Sequence, residues 1–140
     1  MKPLMKQISL VIALLLPLTA LAEMAVIVHP SNQISEMDRD TIMQIFLGKI
    51  TAFPNGERAI PVVLKRGVDP RGSFNKDVLN KTENQYKAYW AKQVFTGKGI
   101  PPKEMDDAGS VTKLIASNPN LVGYIDISAV TDGVKVVAKF

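Results

Sequence analysis

Cysteine is absent from all 140 residues of this chain. Without thiols the protein can form no disulfide, hold no zinc through thiolates and use no cysteine nucleophile. Its stability must therefore come from packing alone, even in an oxidising compartment.

Histidine is almost as scarce, since His29 is the only one in the chain. A histidine metal site or a Ser-His-Asp triad would rest on this single side chain, and no cluster of Asp and Glu at ligand spacing accompanies it. Carboxylates paired at a spacing suited to acid-base catalysis are also missing. The sequence therefore predicts a protein that is not an enzyme and that uses no metal or cofactor.

The first 22 residues have the pattern of a secretory signal peptide. Lys2 and Lys6 precede an apolar stretch over residues 8–20, which is shorter than the roughly 20 apolar residues that a membrane span needs. The Ala-Leu-Ala triplet at residues 20–22 has the small residues that signal peptidase reads. We expect cleavage after Ala22 and a periplasmic location in a bacterium. The alternative, an uncleaved membrane anchor, is disfavoured by this small-residue end.

Residues 23–140 are predicted to form one domain, because they contain no internal repeat, no low-complexity tract and no long linker. Removal of Lys2 and Lys6 leaves 15 of the 17 basic residues against 13 acidic ones, so the net charge falls from +4 to +2. No basic cluster with interleaved aromatic residues occurs, which argues against nucleic-acid binding. After cleavage we expect no membrane span.

Strand and helix signals alternate along this domain. Short apolar runs bounded by turn residues predict strands near residues 24–28, 60–64, 121–127 and 134–138. Capping residues and i, i+4 apolar spacing predict helices over about 38–47, 70–80, 82–96 and around 111–115. Because helices separate the strands, we expect an α/β fold: a single three-layer lobe with a small mixed, largely parallel sheet flanked by helices.

Two local features of the helices are predicted in more detail. Asp69 resembles a helix N-cap, with Pro70 at the first helical position, where its missing N–H costs nothing. Tyr86, Trp90 and Val94 repeat at i, i+4 and i+8, which is typical of a buried helix face. We therefore expect these three side chains in the core.

Four segments of the domain, in order, resemble the phosphate-binding protein of phosphate ABC transporters. They are residues 26–32, 45–50, 60–63 and 118–125. The likeness is to the second lobe only of that family's two-lobed periplasmic-binding-protein fold. The pattern Phe-x-Gly-Lys-Gly-x-Pro-Pro at residues 95–102 is shared with short secreted proteins described as phosphate ABC transporter substrate-binding-like. The resemblance implies a secreted phosphate- or oxyanion-binding protein, the substrate-binding component of phosphate ABC transport.

In that family an arginine and a Ser-Gly-Thr turn hold the anion, after the strand that matches residues 60–64. The resemblance implies that Arg66 corresponds to the family arginine. The Ser-Gly-Thr turn is absent here, where residues 65–74 read Lys-Arg-Gly-Val-Asp-Pro-Arg-Gly-Ser-Phe. This departure leaves the specificity for phosphate open.

The residues themselves also indicate an anion site at the start of the second helix. Free backbone N–H groups, a hydroxyl and arginines at a helix N-terminus favour bound phosphate or carboxylate. The residues ending the first strand could donate to the same ligand. The candidates are Ser31, Asn32, Arg66, Arg71, Gly72 and Ser73. The alternative is that Asp69 caps the helix, that the arginines are solvated, and that Ser31 and Asn32 only form a turn.

Two functions remain open at this point. The first is a module that binds a small oxyanion such as phosphate, with a second wall supplied by homodimerisation. The second is an accessory protein of the cell envelope that keeps the lobe without binding phosphate and acts through a protein partner.

Overall fold

The computed structural model describes residues 23–140, so the predicted signal peptide lies outside the described residues. Its elements in chain order are β1 (Met24–Val28), α1 (Arg39–Phe46), β2 (Ile60–Leu64), α2 (Arg71–Asp77), α3 (Glu83–Phe95), β3 (Lys103–Met105), α4 (Ala108–Ala116), β4 (Leu121–Asp126) and β5 (Lys135–Lys139). One turn of 3-10 helix, Ile127–Ala129, follows β4. Within residues 23–140 no helix is long and apolar enough to cross a membrane.

The five strands form one mixed sheet in the order β3-β2-β4-β1-β5. β2 pairs in parallel with both β3 and β4, whereas β1 runs antiparallel to both β4 and β5. The predicted α/β fold with a mixed sheet is confirmed, and its parallel part is the β3-β2-β4 half. All five residues of β1 are buried. This burial explains why β1 is a continuous apolar run without polar alternation.

Helices cover both faces of the sheet, which confirms the three-layer architecture. Tyr124 of β4 stacks on Phe74 of α2 with ring centroids 3.8 Å apart and lies 5.9 Å from the ring of Phe46 in α1. Its neighbour Gly123 faces the other way, towards α4. A Cβ at Gly123 would lie 2.9 Å from Val111 Cγ1, so the missing side chain lets α4 pack directly on β4.

The predicted helix starts are confirmed with one exception. Asp38 accepts a hydrogen bond from Thr41 N, and Thr82 forms a complete capping box with Gln85. The exception is α2, whose N-cap position is held by Pro70 without any side-chain cap, so the prediction that Asp69 caps this helix was wrong. Consecutive turns hold the chain as far as Arg71, because Val68 N bonds to Lys65 O and Arg71 N bonds to Val68 O.

Two further expectations needed correction. Tyr86 and Trp90 are buried as predicted, but Val94 is 52 % exposed because no element covers the last turn of α3. The extended stretch after α3 leads into β3, a strand that was not predicted. Its three residues are polar or half-buried, so it lacks the apolar run that marks the other strands.

Candidate functional site

Arg71 opens α2 at the carboxyl ends of β2 and β3, the edge of an open α/β sheet where ligands generally bind. We call its surroundings the Arg71 corner, defined by Arg66, Arg71, Glu83, Lys87 and Glu104. These five side chains line one cleft of about 360 Å³, together with Tyr86, Trp90, Pro101 and Pro102. Three cations and two carboxylates therefore face the same space.

Arg71 is buried, with only 6 % of its surface exposed. Its Nε donates to Glu83 Oε1 at 2.8 Å and its Nη2 donates to Glu83 Oε2 at 3.1 Å, a bidentate ion pair. Its Nη1 donates to Leu64 O at 2.9 Å and also to the carboxylate of Glu104. Four of the five N–H groups of a guanidinium are thus bound within the chain.

The partners of Arg71 are themselves held in place. Asn75, which is buried in α2, donates from Nδ2 to Glu83 Oε1 at 3.0 Å. The Arg71 guanidinium carbon lies 5.0 Å from the centroid of the Tyr86 ring, within range of a cation–π contact. The corner is therefore a network that fixes the start of α2 against the start of α3.

The electrostatics follow from this network. Burial alone would lower the pKa of Arg71, but the hydrogen bonds and charges of Glu83 and Glu104 outweigh it and raise that pKa above its usual value. Arg71 is therefore always a cation. Burial raises the pKa of Tyr86 to about 12, so its phenol stays neutral at physiological pH.

Arg66 and Lys87 differ from Arg71 in that neither side chain donates a hydrogen bond to another group of residues 23–140. Among residues 23–140 neither of them makes an ion pair. Both side chains are exposed and line the cleft. They are the cations of the corner that remain available to a ligand.

Gly72 and Ser73 lie in the first turn of α2 but do not line this cleft. Both are exposed. A Cβ placed on Gly72 would meet nothing within 4 Å, so the space on that side of the residue is open. These two candidates are close to Arg71 in sequence, while the cleft beside Arg71 is built from α3 and β3.

Ser31 and Asn32 lie beyond the opposite ends of the sheet's strands from Arg71. β1 is antiparallel to β4, so Val28 pairs with Val122 near the beginning of β4, whereas the carboxyl end of β2 lies at the other edge. Ser31 and Asn32 therefore do not line the cleft that contains Arg66 and Arg71.

The two residues have local roles in the structure. Ser31 contacts His29 Nδ1 through both its backbone N, at 3.0 Å, and its Oγ, at 2.8 Å. Asn32 is buried, and its Oδ1 accepts from Ile34 N at 3.1 Å. These contacts form the turn after β1, as the alternative interpretation of the sequence proposed.

Sequence reasoning missed the two carboxylates of the corner. Glu83 carried one signal, its position at the start of a well-capped helix, but that signal predicts only a favourable helix dipole. Glu104 stands in a strand without an apolar pattern, and nothing in the sequence places it near Arg71. Their pairing with Arg71 depends on how α3 and β3 pack.

The chain matches no protein-family model and no curated protein. Its fold is similar to about half of the fold of several solved phosphate-transport binding proteins. An ABC-type phosphate transport receptor from Vibrio cholerae superposes with a TM-score of 0.66 at 20 % identity, covering 83 % of this chain and 46 % of the receptor.

Other solved structures agree with this comparison. A protein from Clostridium perfringens, described as a phosphate ABC transporter substrate-binding protein and solved with bound phosphate, gives a TM-score of 0.65 at 23 % identity and covers 83 % of this chain and 45 % of its own. PstS from Borrelia burgdorferi gives 0.61 at 15 % identity, over 84 % and 47 % of the two chains. This chain thus spans less than half the length of the structures it resembles.

Proposed function

We propose that this chain is a secreted, non-catalytic binding protein of the bacterial periplasm that takes up a small oxyanion at the Arg71 corner. The observation that supports this most is the fold, which matches one lobe of phosphate receptors over 83 % of the chain. The corner lies at the sheet edge where ligands of open α/β folds bind. Phosphate is the oxyanion that these solved structures suggest.

The charges of the corner support weak binding. Arg66 and Lys87 are unpaired in residues 23–140, and Arg71 keeps one N–H that has no partner there. Glu83 and Glu104 repel an anion from the same cleft. A single lobe also leaves the anion open to water, which screens each contact. We therefore expect dissociation constants of about a millimolar, equivalent to roughly 4 kcal/mol.

Calorimetric titration of the secreted form with phosphate, and separately with sulfate at matched ionic strength, tests this proposal. Heat that saturates with phosphate and disappears in the double variant R66A/K87A is the expected result. These two positions are chosen because neither supports the fold through an ion pair. If neither phosphate nor sulfate gave saturable heat at millimolar concentration, oxyanion binding would be refuted.

A second function is favoured by one specific observation, the pairing of Arg71 with Glu83 and Glu104. In this case the chain's own carboxylates have taken the place of the anion, and the lobe serves as an accessory to another envelope protein. Phosphate should then leave the melting temperature unchanged, both in the wild type and after R66A/K87A. A rise in melting temperature with phosphate that depends on Arg66 and Lys87 contradicts this second function.

The proposed location has its own test. Mass spectrometry of the protein recovered from a periplasmic extract should give a chain that begins at Glu23. A protein that remains in the membrane fraction with Met1 or residue 2 at its N-terminus would instead support the uncleaved anchor.

A further inference from the structure

A second groove lies beside the cleft of the Arg71 corner, with which it shares Trp90, Pro101 and Pro102. It has a volume of about 500 Å³ and runs between α1, the start of β2 and the segment that joins α3 to β3. We call it the Ile100 groove. Its principal apolar residues are Ile45, Leu47, Ile50, Ile60, Trp90 and Ile100.

The apolar residues at this end of the molecule are unusually exposed. Ile100 is 82 % exposed, and Val94 and Phe95 in the last turn of α3 are 52 % and 92 % exposed. These three are the only large exposed hydrophobic residues among residues 23–140. Of the three, Ile100 alone lines the groove, and an exposed apolar side chain rimmed by polar groups is typical of an interaction surface.

The charge of the groove has one sign. Its lining includes Arg58, Lys98 and Lys103 but no aspartate or glutamate. None of these three cations makes an ion pair within the part of the chain that the structure describes. An occupant that matches both properties presents apolar side chains flanked by carboxylates.

A second copy of this chain does not match. Two copies placed groove to groove would bring Arg58, Lys98 and Lys103 of each copy together, which is repulsive. Another face of a second copy would offer no apolar anchor, because every large exposed hydrophobic residue of residues 23–140 lies at this end of the molecule.

The connection beside the groove also limits how an occupant binds. Pro101 and Pro102 precede β3 and have no backbone N–H, so a partner cannot pair with this stretch through a regular strand ladder. Along this stretch, recognition therefore rests on side chains that enter the groove. Trp90 and Gly99 both line the groove. A Cβ placed on Gly99 would lie 3.8 Å from Trp90 Cζ3.

We propose that the Ile100 groove is a docking site for an extended acidic and apolar segment of a different protein. Ile100 is the apolar anchor, and Arg58, Lys98 and Lys103 select for carboxylates. The groove adjoins the cleft of the Arg71 corner, but none of the five charged residues of that corner lines it, so docking here does not depend on anion binding there.

The test uses the full secreted chain and the fluorescence of Trp90, its only tryptophan. The probe is a synthetic decapeptide of alternating aspartate and leucine. Two control peptides replace aspartate by lysine or leucine by serine. We expect a saturable change in Trp90 emission with the first peptide alone, weaker at high salt. Equal binding of the lysine peptide, or no binding of the acidic apolar peptide, would overturn the proposal.

A variant locates the binding on this surface. I100S should weaken the acidic peptide about tenfold, because loss of one central apolar anchor costs about 1.4 kcal/mol. Its melting temperature should equal that of the wild type, since Ile100 is largely exposed. F95S serves as the matched control, because Phe95 does not line the groove. Unchanged affinity in I100S, or a dimer by sedimentation that I100S dissociates, would contradict a heterologous partner at this site.

Discussion

The two ends of α3 differ in whether their side chains have partners within the chain. At the first turn, Glu83 binds Arg71 and Asn75, so the polar groups find their partners within the chain. At the last turn, Phe95 is 92 % exposed and meets no partner of its own. A charged group left without a partner costs more stability than an exposed phenyl ring. The ionic end of α3 is therefore expected to support the fold, and the apolar end to be available for binding.

Replacement of Arg71 by alanine breaks the ionic end and should have the largest effect. The variant leaves Glu83 without its bidentate partner and removes the link to Leu64 O, so R71A should lose about 3 kcal/mol of unfolding free energy. Urea denaturation measures it. R66A is the matched control and should change stability by no more than about 0.5 kcal/mol. If R71A were as stable as R66A, the ion pairs of Arg71 would contribute nothing to the free energy of unfolding.

The pH dependence of stability tests the burial of Tyr86, which lies at the same end of α3. Burial raises its pKa from the usual 10.0 to about 12, so the unfolded chain releases this proton first and stability falls as the pH rises from 10 towards 12. The contribution lost is about 2 kcal/mol. Y86F keeps the ring but cannot ionise. Its urea midpoint should therefore decrease less than that of the wild type over this pH range, and parallel decreases would contradict the burial of the phenol.

Gly48 tests how closely the chain packs against the Trp90 ring of α3. It has a φ of +69°, and a Cβ there would lie 3.1 Å from Trp90 Cη2. G48A should therefore lose about 1.5 kcal/mol, from backbone strain and from displacement of the Trp90 ring. Gly56 has a φ of +86° with open space around it, so G56A should show the strain alone. Equal losses in the two variants would mean that Trp90 moves aside freely.

Glu104 tests whether the ionic end can be converted towards anion binding. Its side chain is 55 % exposed, and E104Q removes one negative charge from the cleft while Glu83 still holds Arg71. Phosphate affinity in calorimetry should rise roughly fivefold, with the increase reduced by salt. E36Q removes the charge of another exposed carboxylate, outside the cleft, and should have no effect. If E104Q bound phosphate no better than E36Q, electrostatic repulsion by Glu104 would be excluded.

Phe95 should show the smallest effect on stability. Since its ring is almost fully exposed, F95S should change the unfolding free energy by no more than about 0.5 kcal/mol. Thermal melting of the wild type and of F95S, measured together with R71A, gives the comparison directly. A loss approaching that of R71A would show that the last turn of α3 packs more closely than its exposure indicates.

The sequence predicted most of the fold because most of its elements carry local signals. β1 is a continuous apolar run, and Thr82 and Gln85 form the capping box that their spacing predicts. β3 carried no such signal, since its residues are polar or half-buried. The direction of β1 could not be predicted from its own residues either. It depends on pairing with β4 and β5, which are distant in the sequence.

The candidate site was predicted less well than the fold. Arg71 was identified as the notable residue at the start of α2, but its partners come from α3 and β3, at positions 83 and 104. Ser31 and Asn32 were grouped with it because they end the first strand, whose antiparallel direction the local sequence does not reveal. Chemical type can be read from a sequence, whereas the side chains that neutralise a charge depend on tertiary contacts.

The central place of β1 in the sheet has a consequence for how the molecule assembles. Met24 pairs with Asp126 and Ala25 pairs with Lys139, so β1 finds both neighbours about a hundred residues further along the chain. Folding cannot close the sheet from the N-terminus while synthesis is still in progress. Until β4 and β5 have emerged, the apolar β1 segment has both of its edges unpaired, and in that interval it is open to aggregation.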